Sequence, residues 1–365
     1  MTRQVVSSLG LFFLCLLHGA LAGGQAQCKD ENGGNVDWFI MYKAPKMQRK
    51  GNGNFITPDG GEFAYIDART PSSNKLWKLS SEDIYDEKNP LAFTLAPLYK
   101  KQRKPMDILY AVYNDQPPNG VNKTRSGHTK GVLMFDGATG IWIQHSLPKF
   151  MEQLFTGKFA FPENARENGQ AIFCVTFPTS QLDTIAKHLR MQYANIYEAN
   201  SPASLRRLYP QVDLLLKGSF IRGPKQKLSA DIITSAGGKK FVSVAKRATL
   251  QVDVYSEIIT NVTQDDLLVQ SWRNGAGGKL NSSCKSRYSV VDVEEITLNF
   301  GRNSLRWSSR EDHSKWAVGT SKLWFCFGSL NRMESQISRG GEVICTQDAM
   351  LSNLFRMTGS TKATC

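Results

Sequence analysis

The tripeptide His-x-Lys occurs once in each half of the chain, as His128-Thr129-Lys130 and His313-Ser314-Lys315. One such tripeptide is uninformative, but the repeated surroundings constrain the fold. After the first comes Gly131-Val132-Leu133-Met134-Phe135, a turn, and Ile141-Trp142-Ile143-Gln144-His145-Ser146. After the second comes Trp316-Ala317-Val318, a polar turn, and Leu323-Trp324-Phe325-Cys326-Phe327, running on to Asn331. Both read as strand, turn, strand. Each second strand carries a Trp and leads to a polar group, His145 or Asn331, at a similar distance past the lysine. The pattern predicts two equivalent units with one motif each. Residues i and i+2 of a strand share a face, so each motif would aim an imidazole and an ammonium group into one cavity. Imidazole attacks phosphorus or passes a proton, and lysine holds phosphate oxygens. The two motifs together point to phosphoryl transfer at a duplicated site.

The N-terminus opens on the basic Met1-Thr2-Arg3. An apolar run from Leu9 to Leu17 follows, then Ala20-Leu21-Ala22. This order predicts a secretory signal peptide, residues 1–22. No later apolar stretch is long enough for a membrane span. Six cysteines remain beyond it: Cys28, Cys174, Cys284, Cys326, Cys345 and Cys365. An even number in a secreted chain predicts three disulfides, and spacing alone leaves about fifteen pairings open. The absence of Cys-x-x-Cys argues against zinc, and no acidic cluster suited to magnesium is evident, so neither metal nor cofactor is expected. Sequons at Asn122, Asn261 and Asn281 fit a glycosylated surface. The formal net charge is +13, with basic clusters such as Lys100 to Lys104, Arg206-Arg207 and Lys239-Lys240. Such a balance favours a polyanionic partner.

Strands are predicted at Val36 to Lys43, Ile108 to Tyr113, Ala171 to Phe177 and Val290 to Phe300. The stretch from Phe241 to Lys246 echoes Phe39 to Lys43, an apolar strand ending on lysine. Helical spacing covers Leu182 to Met191, making His188 structural or exposed, and helices are also expected over Ser201 to Leu216 and Met350 to Met357. The stretch from Ile258 to Ser271 carries both helix and strand signals. Strands mixed with helices in both halves give an α/β layered fold.

The chain resembles the deoxyribonuclease II family of acid endonucleases. The resemblance rests on Val36-Asp37-Trp38-Phe39 with Tyr42-Lys43, on Tyr113-Asn114-Asp115-Gln116-Pro117-Pro118, on Gly127-His128-Thr129-Lys130-Gly131, and on His145-Ser146 with Pro148 and Phe150. In the second half it rests on Glu311-Asp312-His313-Ser314-Lys315-Trp316, on Asn331-Arg332, and on Gly340-Gly341 before Cys345. That family is similar to the phospholipase D superfamily. The resemblance implies two α/β/α repeats packed as a pseudo-dimer with mixed sheets, residues 23–200 and 201–365, with both motifs at a shared interface. It implies metal-independent hydrolysis of DNA at acid pH, leaving 3′-phosphate ends, by a protein that is lysosomal or secreted. The superfamily's Asp five residues past the lysine is absent here, where Phe135 and Thr320 stand; Asp136 comes one place late. Gly328-Ser329-Leu330-Asn331 instead resembles an element of tyrosyl-DNA phosphodiesterases. By resemblance, Cys28 pairs with Cys174, Cys284 with Cys365, and Cys326 with Cys345.

In the mechanism this implies, His128 or His313 attacks phosphorus to form a phosphohistidine, with His128 favoured. The other histidine protonates the leaving 5′ oxygen and then activates water. Lys130 and Lys315 hold the non-bridging oxygens, and His145 and Asn331 support the site or bind phosphate. A catalytically silent secreted DNA-binding protein or toxin on the same scaffold is the alternative. The sequence leaves the oligomeric state open.

Overall fold

The computed structural model describes residues 26–47, 56–101, 107–121, 126–152, 154–284 and 286–364. The predicted signal peptide, the sequon at Asn122 and Cys365 lie outside these residues. A short ribbon, β1 (Cys28–Lys29) with β2 (Asn35–Val36), opens the described chain. Two large sheets follow. The first contains β3 (Trp38–Lys43), β4 (Phe63–Asp67), β5 (Lys78–Leu79), β6 (Leu109–Asn114), β7 (Lys130–Phe135), β8 (Thr139–His145), β9 (Gln170–Pro178) and β10 (Ile196–Asn200), in the order β10-β6-β7-β8-β9-β3-β4-β5. The second contains β11 (Leu228–Thr234), β12 (Lys240–Lys246), β13 (Leu267–Gln270), β14 (Val290–Asn299), β15 (Ser304–Ser308), β16 (Trp316–Gly319), β17 (Trp324–Gly328), β18 (Gly341–Gln347) and β19 (Gly359–Lys362). Its order is β11-β12-β18-β17-β16-β13-β14-β15, with β19 also on β14. The architecture is the α/β one expected, and its sheets are mostly antiparallel. The first is antiparallel throughout its described pairings, whereas β13 and β14 run parallel in the second.

Alternation along β3 shows why the strands are buried on both faces. Trp38, Ile40 and Tyr42 enter the core between the two sheets, while Phe39 and Met41 enter a second core on the outer face of the first sheet. The sheets touch directly: the Phe173 ring on β9 lies 6.0, 6.1 and 5.6 Å from the rings of Phe241, Phe325 and Phe327. Helices Leu182–Gln192 and Ala349–Thr358 fill the rest of this central core through Leu182, Ile185, Leu189, Leu351, Leu354 and Phe355. Helix Pro90–Tyr99 covers the outer face of the first sheet, and Tyr255, Ile258 and Ile259 cover that of the second. No described helix is long and apolar enough to cross a membrane.

Local chemistry sets the helix ends. Asn89 accepts from the Ala92 N–H at 2.9 Å, with Pro90 following it at the first helical position. Asp348 accepts from the Leu351 N–H at 2.9 Å. The predicted helix from Ser201 to Leu216 is instead two, Ala203–Leu208 and Pro210–Leu216. Tyr209 precedes a proline and is driven out of the helical region, to φ −124° and ψ 83°. The mixed signals over Ile258 to Ser271 are a helical stretch ending at Thr263 followed by β13.

Cys28 and Cys174 tie the ribbon to β9, and Cys326 and Cys345 join facing residues of β17 and β18. Both bonds match the pairing implied by resemblance. Cys284 is disulfide-bonded, and its expected partner Cys365 lies outside the described residues. Asn261 and Asn281 are exposed.

Candidate active site

The strand register bears out the internal repeat. On β7, Gly131 faces Gln144; on β16, Trp316 faces Phe327. Aligning the two motifs on these pairs places Ser146 on Ser329, and the two serines make the same bonds. The Ser146 N–H donates to the Ala171 carbonyl at 3.1 Å, and the Ala171 N–H donates to Ser146 Oγ at 3.0 Å. The Ser329 N–H donates to the Glu342 carbonyl at 3.0 Å, and the Glu342 N–H donates to Ser329 Oγ at 2.9 Å. The register corrects one expectation. His145 aligns with Gly328, not with Asn331, so those two polar residues are not counterparts. The predicted echo of Lys43 in Lys246 is real: Gln170 faces Lys43 as Gly341 faces Lys246. Both ammonium groups are buried among backbone carbonyls, Lys43 at Gly60 (3.1 Å) and Arg166 (3.2 Å), Lys246 at Ile337 and Arg339 (2.8 Å each).

Each motif is seated by the other half. The His128 N–H donates to the Gly340 carbonyl, and the His313 N–H to the Gly169 carbonyl, both at 2.8 Å. The strands begin at Lys130 and Trp316, so both histidines sit just before a strand rather than within one. The middle residue of each motif points into the central core. Thr129 Oγ1 donates to Glu342 at 2.8 Å, and Ser314 Oγ lies 2.7 Å from the Tyr42 hydroxyl. Close approach requires glycine here: a Cβ on Gly127 would stand 2.1 Å, and one on Gly340 2.3 Å, from the Gln192 carbonyl oxygen.

His128 and His313 are half-buried, while Lys130, Lys315, His145 and Asn331 are buried. Lys130 Nζ bonds Asp115, whose other carboxylate oxygen accepts from Arg339 at 3.1 Å and lies 4.0 Å from His128 Nε2. Burial alone would raise the Asp115 carboxyl; Lys130, His128 and Arg339 outweigh it and hold the group far below the usual carboxylate range. Lys315 Nζ donates to the His313 carbonyl. Burial, then the charge on Lys130, lowers Lys315 to about 7. Burial followed by Lys315 and Lys130 lowers His313 to about 3, and burial followed by Lys130, with a smaller push from Lys315, drives His128 well below its ordinary value. The lysine of each motif thus acts on the histidine of the other, as convergence on one site requires.

The imidazole tautomers differ. His128 Nδ1 lies 2.6 Å from the Ser329 carbonyl oxygen. A carbonyl only accepts, so neutral His128 carries its proton on Nδ1 and keeps a lone pair on Nε2. His313 Nδ1 lies 3.4 Å from Gln170 Nε2. Ser146 Oγ donates to Gln170 Oε1 at 2.5 Å, which turns the Gln170 amide nitrogen toward the imidazole. Neutral His313 therefore carries its proton on Nε2. His145 Nδ1 accepts from the Leu147 N–H at 3.2 Å, and burial with Lys130 lowers this imidazole to about 3. His145 Nε2 and Asn331 Oδ1 are buried without a hydrogen-bond partner among the described residues.

Sequence reasoning missed four residues of this site: Asp115, Arg339, Gln170 and Trp272. The Trp272 ring centroid lies 4.5 Å from that of His313. The register offered a signal for two of them. Asp115 follows Asn114, which faces Lys130, and Trp272 comes two residues past Gln270, which faces Trp316. They are counterparts in the repeat. His188 is not part of the site; it is fully buried, with Asp231 and Ser243 as partners at 2.7 and 2.9 Å. No group of three or more His, Cys, Asp or Glu suited to a metal occurs among the described residues.

A sequence profile of the deoxyribonuclease II family matches residues 27–365. The chain belongs to the deoxyribonuclease II family. Deoxyribonuclease-2-beta of Homo sapiens is 34% identical over 98% of this chain and 96% of its own length. Plancitoxin-1 of Acanthaster planci is 33% identical over 90% and 89%, and deoxyribonuclease-2-alpha of Mus musculus is 33% identical over 88% of each chain. The protein is a nuclease of the deoxyribonuclease II type, with two His-x-Lys motifs at the contact between its sheets.

Proposed function

We propose that this protein is an acid endodeoxyribonuclease that cuts DNA to 3′-phosphate ends without a metal ion, through a phosphohistidine on His128. The observation that carries this reading is that His128 Nδ1 faces a carbonyl oxygen whereas His313 Nδ1 faces an amide nitrogen, which sets opposite tautomers. His128 Nε2 has a free lone pair, and His313 presents at Nε2 the proton that its imidazolium form releases, which is the division of labour that in-line displacement needs. His128 Nε2 bonds to phosphorus as the P–O5′ bond breaks, and His313 gives its proton to the departing 5′ oxygen. Water then attacks phosphorus, His313 takes a proton from it, and the P–N electrons return to His128. Lys130 and Lys315 hold the non-bridging oxygens, supplying the charge a metal would otherwise bring. His145, whose Nδ1 accepts from Leu147, donates from Nε2 to the same phosphate, and Asn331 supports the site. The two repeats, residues 23–200 and 201–365, each contribute one motif.

The acid preference follows from the surroundings of His313. Burial first, then the charges on Lys315 and Lys130, oppose a positive imidazole. The Gln170 amide nitrogen faces the Nδ1 that would take the second proton, so His313 holds that proton only at low pH. An arriving phosphodiester adds negative charge and favours that proton. The exposed sequons Asn261 and Asn281 and the disulfides accord with passage through the secretory route, to a lysosome or out of the cell.

The test is plasmid cleavage at about pH 5 and about pH 7.5 in excess chelator, values bracketing imidazole titration, with analysis of the ends. Acid-favoured cutting to 3′-phosphate is expected. Loss of cutting with chelator would refute the metal-free mechanism; DNA bound but uncut at both pH values would favour a silent binding protein.

A further inference from the structure

We propose that Trp272 and the basic cavity beside it form a subsite for the DNA strand released by the reaction. The indole stacks on the base of the nucleotide that carries the departing 5′ oxygen, and Lys279 and Arg310 hold that nucleotide's 3′ phosphate. The inference rests on the nuclease reading above, in which His313 delivers a proton to that oxygen.

Three observations converge. First, Trp272 is half-buried against His313, its ring tilted 56° to the imidazole at 4.5 Å. Its indole N–H donates to the Arg310 carbonyl at 3.1 Å, and Asn274 donates to the same carbonyl at 3.4 Å. The ring is thereby fixed to the loop that leads into the second motif. Second, a cavity of about 300 Å³ opens beside it, lined by Arg273, Asn274, Lys279, Glu294, Ser309 and Arg310. Arg273 is occupied by Glu294 at 2.8 Å and Asp292 at 3.3 Å. Lys279 and Arg310 are exposed and in no ion pair among the described residues, so the cavity presents two cations to an anion. Third, the repeat is asymmetric here. Trp272 stands beside His313 where Asp115 stands beside His128. The Asp115 carboxylate is taken up by Lys130 and Arg339 and offers a base no surface, whereas an indole offers any base a stacking face. The exit path of the strand is therefore on the His313 side, along an aromatic platform and the two cations of the cavity.

The experiment compares substrates with a constant tract of five thymidylates. The last tract phosphate is esterified to p-nitrophenol, to one thymidine, or to a thymidine dinucleotide, and cleavage at that phosphate is followed by product analysis. Trp272→Ala is expected to lower kcat/KM on the two nucleoside substrates at least tenfold more than on the nitrophenyl ester, and Trp272→Phe to recover most of that difference. Lys279→Gln with Arg310→Gln is expected to affect mainly the dinucleotide substrate. The same pair should make the log–log dependence of DNA binding on salt shallower by roughly 1 to 2. Equal losses on all three substrates would mean that Trp272 acts through His313 alone, and no loss on any would remove the subsite; either result overturns the proposal. Failure of the wild-type protein to turn over the whole series would sink the nuclease reading itself, and the subsite with it.

Discussion

Glu342 gives the sharpest quantitative test of how the core is built. It is 2% exposed, accepts from Thr129 at 2.8 Å, and pairs with Gln192. Burial raises its carboxyl from 4.5 to about 7. Between those values the unfolded chain has released this proton while the folded protein still holds it. A raised carboxyl makes stability greatest below 4.5 and progressively smaller up to about 7. At about 1.36 kcal/mol per pH unit, the folded state loses about 3 kcal/mol across the window. Glu342→Gln has no proton to release. Its amide fits the same space, because Gln192 Oε1 has no hydrogen-bond partner and can turn to accept the new N–H. Urea unfolding of both proteins at about pH 4.5 and about pH 7.5 isolates this group, since other titrations are common to both and cancel. The variant should gain about 3 kcal/mol on the wild type between the two pH values. A difference that stays constant within about 1 kcal/mol would show that Glu342 is ionised in the fold and that the reasoning fails.

Three further outcomes are expected. His313→Ala should lower kcat on DNA by about 10² to 10⁴-fold, and a nitrophenyl ester, whose leaving group needs no proton, should recover much of the loss; His128→Ala should show no such recovery. Because Lys315 is lowered to about 7, kcat/KM should fall as pH rises through that value, and a profile flat to about pH 9 would contradict its role as a phosphate-binding cation. Replacing Cys326 and Cys345 by serine opens a link of sequence separation 19, and should cost about 3 kcal/mol in urea unfolding under non-reducing conditions.

The fold was legible wherever the pattern was local and periodic. The alternation in β3, the helical spacing of Leu182 to Met191 and the turn after Phe135 each report burial of neighbouring residues. The repeated His-x-Lys tripeptide was legible because each copy is followed by a strand, a turn and a second, Trp-bearing strand. What escaped depends on contacts between distant segments. Arg339 reaches Asp115 across 224 residues of sequence, and Gln170 reaches His313 across 143; no spacing rule connects them. The equation of His145 with Asn331 failed for a different reason. Counting residues past a lysine ignores strand register, and the hydrogen bonds of Ser146 and Ser329 set the true alignment.

The crossed seating of the histidines also says what a protease could do to this molecule. Residues 222–227, between the two sheets in sequence, are exposed. A cut there leaves one fragment holding His128 and Gly169 and another holding His313 and Gly340. Neither disulfide described between named cysteines joins the two, yet each fragment supplies the carbonyl that the other's histidine needs. The nicked molecule would be a working heterodimer that reports its integrity through activity. Once pulled apart, each fragment would carry a complete motif and no functioning site.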